Sequence, residues 1–169
     1  MKIAQKSFLL DQERCIMSDV ELEVGSSAPD FKLPANTGGE IALNDYRGRK
    51  IVLFFVREYN WMQCRSHVTQ LGRLNDEFVK AGVQVLIILG DTLERAGRYA
   101  ETLKIPFPVL ADPERVVYHR FELQKNFIGI QRTASIVVDQ KGVIRYIKRA
   151  VNPMTWLQES KELVQAVQF

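Results

Sequence analysis

Two apolar runs, IVLFFV (51–56) and VQVLIIL (83–89), constrain this chain more than any other feature. Each is continuous rather than alternating, of strand length, and rich in β-branched and aromatic residues. That is the pattern of a central strand covered on both faces. Between them Val68, Leu71, Leu74 and Phe78 recur at spacings of three, three and four, one stripe of an amphipathic helix. Strand, helix and strand in this order make a βαβ unit.

The flanks extend the same architecture. DFKLPANTGGEIAL (30–43) holds two short alternating runs around Thr37-Gly38-Gly39, the composition of a β-hairpin turn. A second helix is expected from about Thr92, with Asp91 and Glu94 at capping-box spacing and Leu93, Ala96, Tyr99/Ala100 and Leu103 along one face, stopped by Pro106 and Pro108. A short strand near Val109-Leu110 and a helix or turn around Glu114 to Phe121 follow. TASIVVD (133–139) and GVIRYIK (142–148), joined at Gln140-Lys141, read as a second hairpin. A last helix starts at Asn152-Pro153 and carries Trp156, Leu157, Leu163, Val164 and Val167, with proline where its missing N–H is of no consequence. The order predicts an α/β chain with the thioredoxin-like fold: a mixed central sheet flanked by helices, with an N-terminal β-hairpin. Residues 1–24 are polar and without sustained period, and read as an extension to one domain over 25–169.

Charge and cysteine usage narrow the function classes. The net charge of +3 comes from 23 basic and 20 acidic residues that interleave, so nucleic acid is not implied. The densest basic stretch, KGVIRYIKR (141–149), lacks an aromatic stacking platform and reads as a solvated strand face. No run approaches the ~20 apolar residues of a membrane span, and MKIAQKSFLL is too short an apolar run for a signal peptide. Two cysteines 49 positions apart make no disulfide framework, and a cytoplasmic location is expected. No cofactor or metal is called for, since neither His67 nor His119 has a second ligand at metal spacing. His67 reads as an exposed helical histidine and His119 as part of a polar patch.

Chemistry concentrates at EYNWMQCRSHVTQL (58–71). The stripe of the first helix extrapolates back to Cys64, which places the thiol on the core-facing side of the first turn. Unpaired N–H groups and the positive dipole end favour an anion there, and Asn60 with Gln63 has capping-box-like spacing. Bringing a thiol from a pKa of about 8.5 to about 6 requires roughly 3.4 kcal/mol at about 1.4 per unit. A helix end supplies typically 0.3–1 and at most about 2 kcal/mol. A cation is therefore needed; Arg57 and Arg65 are local, and Arg132, at the start of TASIVVD, is the preferred partner. Trp61 reads as a core or lid residue. Cys15 is an incidental thiol or a resolving one, and a start at Met17 would remove it.

At these residues VGSSAPDFKLPANTGGEIALNDYRGRKIVLFFVREYNWMQC, together with IPFPVLADPE and QRTASIVVDQKGVIR, resembles the peroxiredoxin superfamily, the alkyl hydroperoxide reductase and thiol-specific antioxidant group, over roughly residues 25–150. The resemblance implies a thiol peroxidase that reduces hydrogen peroxide or organic hydroperoxides through a cysteine sulfenic acid. It implies Cys64 as the peroxidatic cysteine and Arg132 as the arginine that holds thiolate and peroxide. It also implies regeneration by an external thiol or thioredoxin-type reductant, and a homodimer. The family's PxxxTxxC becomes RxxxWxxC here: Arg57 stands for the proline and Trp61 for the threonine whose hydroxyl bonds the peroxide. Losing such a donor typically costs about 10² to 10³ in rate, which Arg57 could restore. A thioredoxin-type dithiol exchanger is disfavoured because Trp61 stands where CxxC needs its first cysteine. A redox-inactive binding or scaffold module on the same fold is the alternative function.

Overall fold

The computed structural model describes residues 22–125, 129–149 and 156–169. Strands β1 (Lys32–Pro34) and β2 (Glu40–Ala42) form the N-terminal hairpin, with Leu33 opposite Ile41. Its turn closes through the Ala35 N–H to the Gly39 carbonyl (3.1 Å), and both Gly38 and Gly39 have positive φ (96° and 70°), which a side chain would resist. A short 3-10 turn, Leu43–Tyr46, leads into β3 (Lys50–Val56).

Helices α1 (Met62–Arg73) and α2 (Asn75–Lys80) connect β3 to β4 (Val83–Leu89). Next come α3 (Leu93–Leu103), β5 (Val109–Ala111), α4 (Val116–Arg120), β6 (Ala134–Val138), β7 (Ile144–Arg149) and α5 (Trp156–Ala166). The main sheet runs β5-β4-β3-β6-β7, with β3, β4 and β5 parallel and β6 and β7 antiparallel to their neighbours. This is the mixed sheet of the thioredoxin-like fold.

The reason β3 reads as an unbroken apolar run is visible in its neighbours. Ile51, Leu53 and Phe55 face a cluster with Phe31 and Leu33 of the hairpin side and Val117, Tyr118 and Phe121 around α4. Val52, Phe54 and Val56 face the opposite cluster, with Val68 and Leu71 of α1, Phe78 of α2, Ala96 and Tyr99 of α3 and Leu163 of α5. Each fully buried aliphatic or aromatic side chain contributes about 1.5–3 kcal/mol, so both faces must be covered for such a strand to be stable.

Several local expectations are corrected. The single helix carrying Val68 to Phe78 is two, because the backbone at Leu74 (φ −91°, ψ 8°) leaves the helical region between α1 and α2. Phe78 nonetheless stays in the same core and Leu74 packs against it, so the stripe survives the break. Helix α3 is capped by Thr92, whose hydroxyl accepts the Arg95 N–H at 3.3 Å, while Asp91 instead takes the Thr92 N–H and pairs with Arg95, each at 2.8 Å. The helix ends at Lys104 in the left-handed region, ahead of Pro106. Pro153 lies outside the described residues.

The basic strand face is spent on carboxylates: Arg145 pairs with Asp139 (2.7 Å), Lys148 with Glu162 (2.5 Å) and Arg149 with Glu122 (3.3 Å). At the other margin Leu22 is already buried, its N–H on the Glu122 carboxylate at 3.1 Å and its carbonyl taking Arg149 Nη2 at 3.0 Å. Among the described residues, no helix is long and apolar enough to cross a membrane.

Candidate active site

Strand β3 delivers the chain to the C-terminal end of the sheet, where Arg57 leaves the strand and a turn closes through the Trp61 N–H to the Glu58 carbonyl (3.2 Å). Helix α1 then begins, with Cys64 as its third residue. The residue before the helix is Trp61, and no side chain caps it; the expected Asn60–Gln63 box does not form, and Asn60 is exposed. The turn places Trp61, not Asn60, at the boundary, so the first N–H groups of α1 have no side-chain acceptor on Trp61.

Cys64 is buried at 6% exposure among the residues under α1. Its sulfur accepts the backbone N–H of Arg57 at 3.4 Å, which returns the helix start to the strand end. Burial pushes the thiol above its ordinary pKa; the Arg57 N–H, the Arg57 charge and the Glu58 N–H act against that, and the Glu58 carboxylate acts with it. The resting site thus holds a thiol whose ionisation is opposed by desolvation and assisted mainly by one residue, Arg57.

Arg57 is half-buried, with its guanidinium carbon 4.8 Å from the centre of the half-buried Trp61 ring. The stack holds the cation over the helix start and is worth about 0.5–2 kcal/mol. Its Nε is buried and makes no hydrogen bond. A buried guanidinium N–H without an acceptor is costly. The Arg57 carbonyl lies 3.5 Å from Nη1 of Arg115, which itself stacks over Tyr118 at 5.1 Å.

Tyr118, fully buried under the strand ends, contacts the carbonyls of Val56 and Ile88 (2.9 Å to the latter) and accepts the Gly90 N–H at 3.2 Å. These bonds tie the C-terminal ends of β3 and β4 together and so set where Arg57 starts. Beneath α4, the buried Asp112 carboxylate accepts the N–H groups of Val116, Val117 and Tyr118 at 3.0, 2.9 and 3.2 Å, and thereby fixes the helix that carries Tyr118.

Arg132 is exposed. The antiparallel ladder pairs Phe55 with Ala134, and continuing that register by two residues sets Arg132 across from Arg57. The guanidinium with the largest effect on the thiol is nonetheless that of Arg57. Cys15 lies outside the described residues, and Cys64 is the one free cysteine among them. His119 is exposed.

His67 is not the exposed histidine its polarity suggests: it is 4% exposed, edge-on to Phe54 (centroids 4.5 Å), with Nδ1 3.8 Å from the Glu159 carboxylate of α5 and Nε2 without a partner. The physical reason is α5, which packs along α1 and closes over that flank. His67 falls at three residues after Cys64 and four before Leu71, inside the buried stripe, and that spacing was the available signal. Burial, aided by the Lys148 charge, pushes its pKa down to about 4. A second side chain that periodicity marked only as core is Tyr99 of α3, 1% exposed, whose hydroxyl has no hydrogen-bond partner. Among the described residues no three His, Cys, Asp or Glu side chains gather as metal ligands.

Comparison with known proteins identifies the family and the fold. The pattern of the AhpC/TSA family matches residues 24–147. Peroxiredoxin Bcp of Escherichia coli (strain K12) is 32% identical over 133 residues, 75% of this chain and 85% of that protein. Peroxiredoxin Bcp of Bacillus subtilis (strain 168) is 28% identical over 128 residues, 72% and 81% of the two chains. Peroxidoxin BcpB from Mycobacterium tuberculosis superposes with a TM-score of 0.76 at 19% identity, over 88% of this chain and 99% of its own, which establishes the shared fold. The matched segment takes in the hairpin, the Cys64 helix and both arginines, and the chain belongs to the AhpC/TSA family of peroxiredoxin-like proteins.

Proposed function

We propose that this protein is a thiol-dependent peroxidase, with Cys64 the nucleophile that reduces hydrogen peroxide or an organic hydroperoxide. The observation that carries the reading is the pairing of a buried sulfur, bonded to the Arg57 N–H at 3.4 Å, with a buried Arg57 Nε that has no acceptor of its own. Burial alone would make Cys64 a packing residue. Donors converging where negative charge must develop distinguish a nucleophile from a core thiol.

In the reaction the sulfur attacks one peroxide oxygen. An S–O bond forms, the O–O bond breaks, sulfur gives up two electrons, and the leaving oxygen takes the proton that the thiol has shed. Arg57 assists twice: its backbone N–H and charge favour the thiolate, and its free Nε meets the peroxide. Arg132, opposite Arg57 in the extended register, is the second cation of the site, and Trp61 holds the Arg57 guanidinium in place. An external thiol, small or thioredoxin-type, condenses with the sulfenic acid to release water, and a second thiol returns Cys64 to its reduced form. The cycle uses one protein cysteine and an external thiol; a Cys15–Cys64 bridge is the alternative route.

Mass spectrometry after one equivalent of hydrogen peroxide tests this. Addition of one oxygen at Cys64, trapped as the sulfenic acid, is the expected product; a Cys15–Cys64 bridge would assign Cys15 as resolving residue. An unmodified Cys64 would refute the peroxidase.

A further inference from the structure

The Tyr99 hydroxyl is buried and unpartnered in the same apolar cluster as Cys64, and the chemistry described so far gives it nothing to do. Its residue is 1% exposed, and its oxygen meets no donor or acceptor. A buried hydroxyl left without a hydrogen bond is destabilising, a penalty that phenylalanine would avoid while packing the same ring. Such a group is retained at a cost to stability, which asks for a use elsewhere.

Three observations tie it to Cys64. Both residues belong to the one apolar cluster beneath α1 and α3. The Tyr99 ring packs on Tyr59 (centroids 5.6 Å, 58° between planes), a residue of the turn that introduces the Cys64 helix, and Arg95 lies over Tyr59 at 5.3 Å. Finally, of the charged states around the Tyr99 hydroxyl, that of Cys64 weighs most on it, ahead of Arg65 and Tyr59. Burial holds the phenolic proton well above its ordinary range, so the group is a donor throughout physiological pH.

We propose that Tyr99 is a further catalytic residue, the hydroxyl that donates a hydrogen bond to the peroxide oxygen as it is transferred to Cys64. The proposal rests on the peroxidase reading. At rest the hydroxyl and the sulfur are not bonded to one another, and an oxygen arriving on the sulfur supplies the acceptor that the hydroxyl lacks. The phenol keeps its proton: the S–O bond forms and the O–O bond breaks as before, and the leaving oxygen takes the proton shed by the thiol.

Tyr99→Phe removes one oxygen and no existing hydrogen bond, so folding is not at stake. The expected result is a second-order rate constant with hydrogen peroxide lowered roughly a hundred- to a thousandfold, with the deficit persisting on the plateau above the thiol's titration, and an unchanged or slightly raised melting temperature. Wild-type rate at every pH would overturn the proposal. So would a deficit that vanishes at the plateau, which would mean only a shifted thiol, or one that tracks a lowered melting temperature. Cys64→Ser separates the two readings: continued peroxide consumption by that variant removes the peroxidase itself, whereas an inert Cys64→Ser beside a full-speed Tyr99→Phe removes Tyr99 alone.

Discussion

Lowering the pH should destabilise this protein through one residue behind its active site, His67. The imidazole sits between Phe54 of β3, Glu159 of α5 and Lys148 of β7, and its folded pKa is about 4 against an ordinary 6.5. The Glu159 contact, at 3.8 Å, is too long for a hydrogen bond, so desolvation and the Lys148 charge prevail and the ring is neutral in the fold. The unfolded chain takes up a proton first as pH falls below about 6.5, while the folded chain resists until about 4. Stability is therefore complete above 6.5 and is lost progressively down to about 4. Two and a half units at about 1.4 kcal/mol each cap the loss at about 3 kcal/mol, and about 2 of that falls between pH 7 and 4.5. Against a typical total of 5–15 kcal/mol this is a large fraction. Urea unfolding of the wild type and His67→Gln at both pH values isolates it, since carboxylates titrating in the same window do so in both proteins. The wild type should lose about 2 kcal/mol more than the variant. Equal losses would refute the reasoning, and with it the buried neutral histidine.

Other substitutions test neighbouring parts of the account. Arg57→Met keeps the backbone N–H that reaches the sulfur but removes the charge and the Trp61 stack. Because the Arg57 charge favours the thiolate, the Cys64 titration followed by thiolate absorbance should move up in this variant, and an unmoved titration would contradict that role. Asp112→Ala leaves three N–H groups at the start of α4, two of them buried, without their acceptor and should lower unfolding free energy by about 1–3 kcal/mol in denaturant titrations, with slower peroxide turnover as Tyr118 loses its support.

The sheet was legible because its central strands bury both faces, so every position of IVLFFV and most of VQVLIIL must be apolar whatever packs outside. Both hairpins announced themselves through glycine and polar turn residues. The break at Leu74 was not legible, since the apolar stripe continues across it and burial is the same on either side. The α3 cap moved from Asp91 to Thr92 because adjacent residues could both cap and only geometry chooses between them. Cys64 at the helix start followed from periodicity. Two features did not: that its first donor is the main chain of Arg57, and that the Arg57 side chain stacks on the very tryptophan of the helix start. Both depend on the path of the 58–61 turn, which no spacing encodes. Tyr99 was read as a core ring; that its hydroxyl is unpaired is a property of everything around it.

Stopped-flow tryptophan fluorescence during mixing with hydrogen peroxide, for the wild type and Cys64→Ser, tests the central claim most directly, since Trp61 lies beside the proposed nucleophile. A peroxide-dependent change whose rate rises linearly with peroxide concentration in the wild type, and is absent from Cys64→Ser, is the predicted result. The same response in both proteins would contradict it.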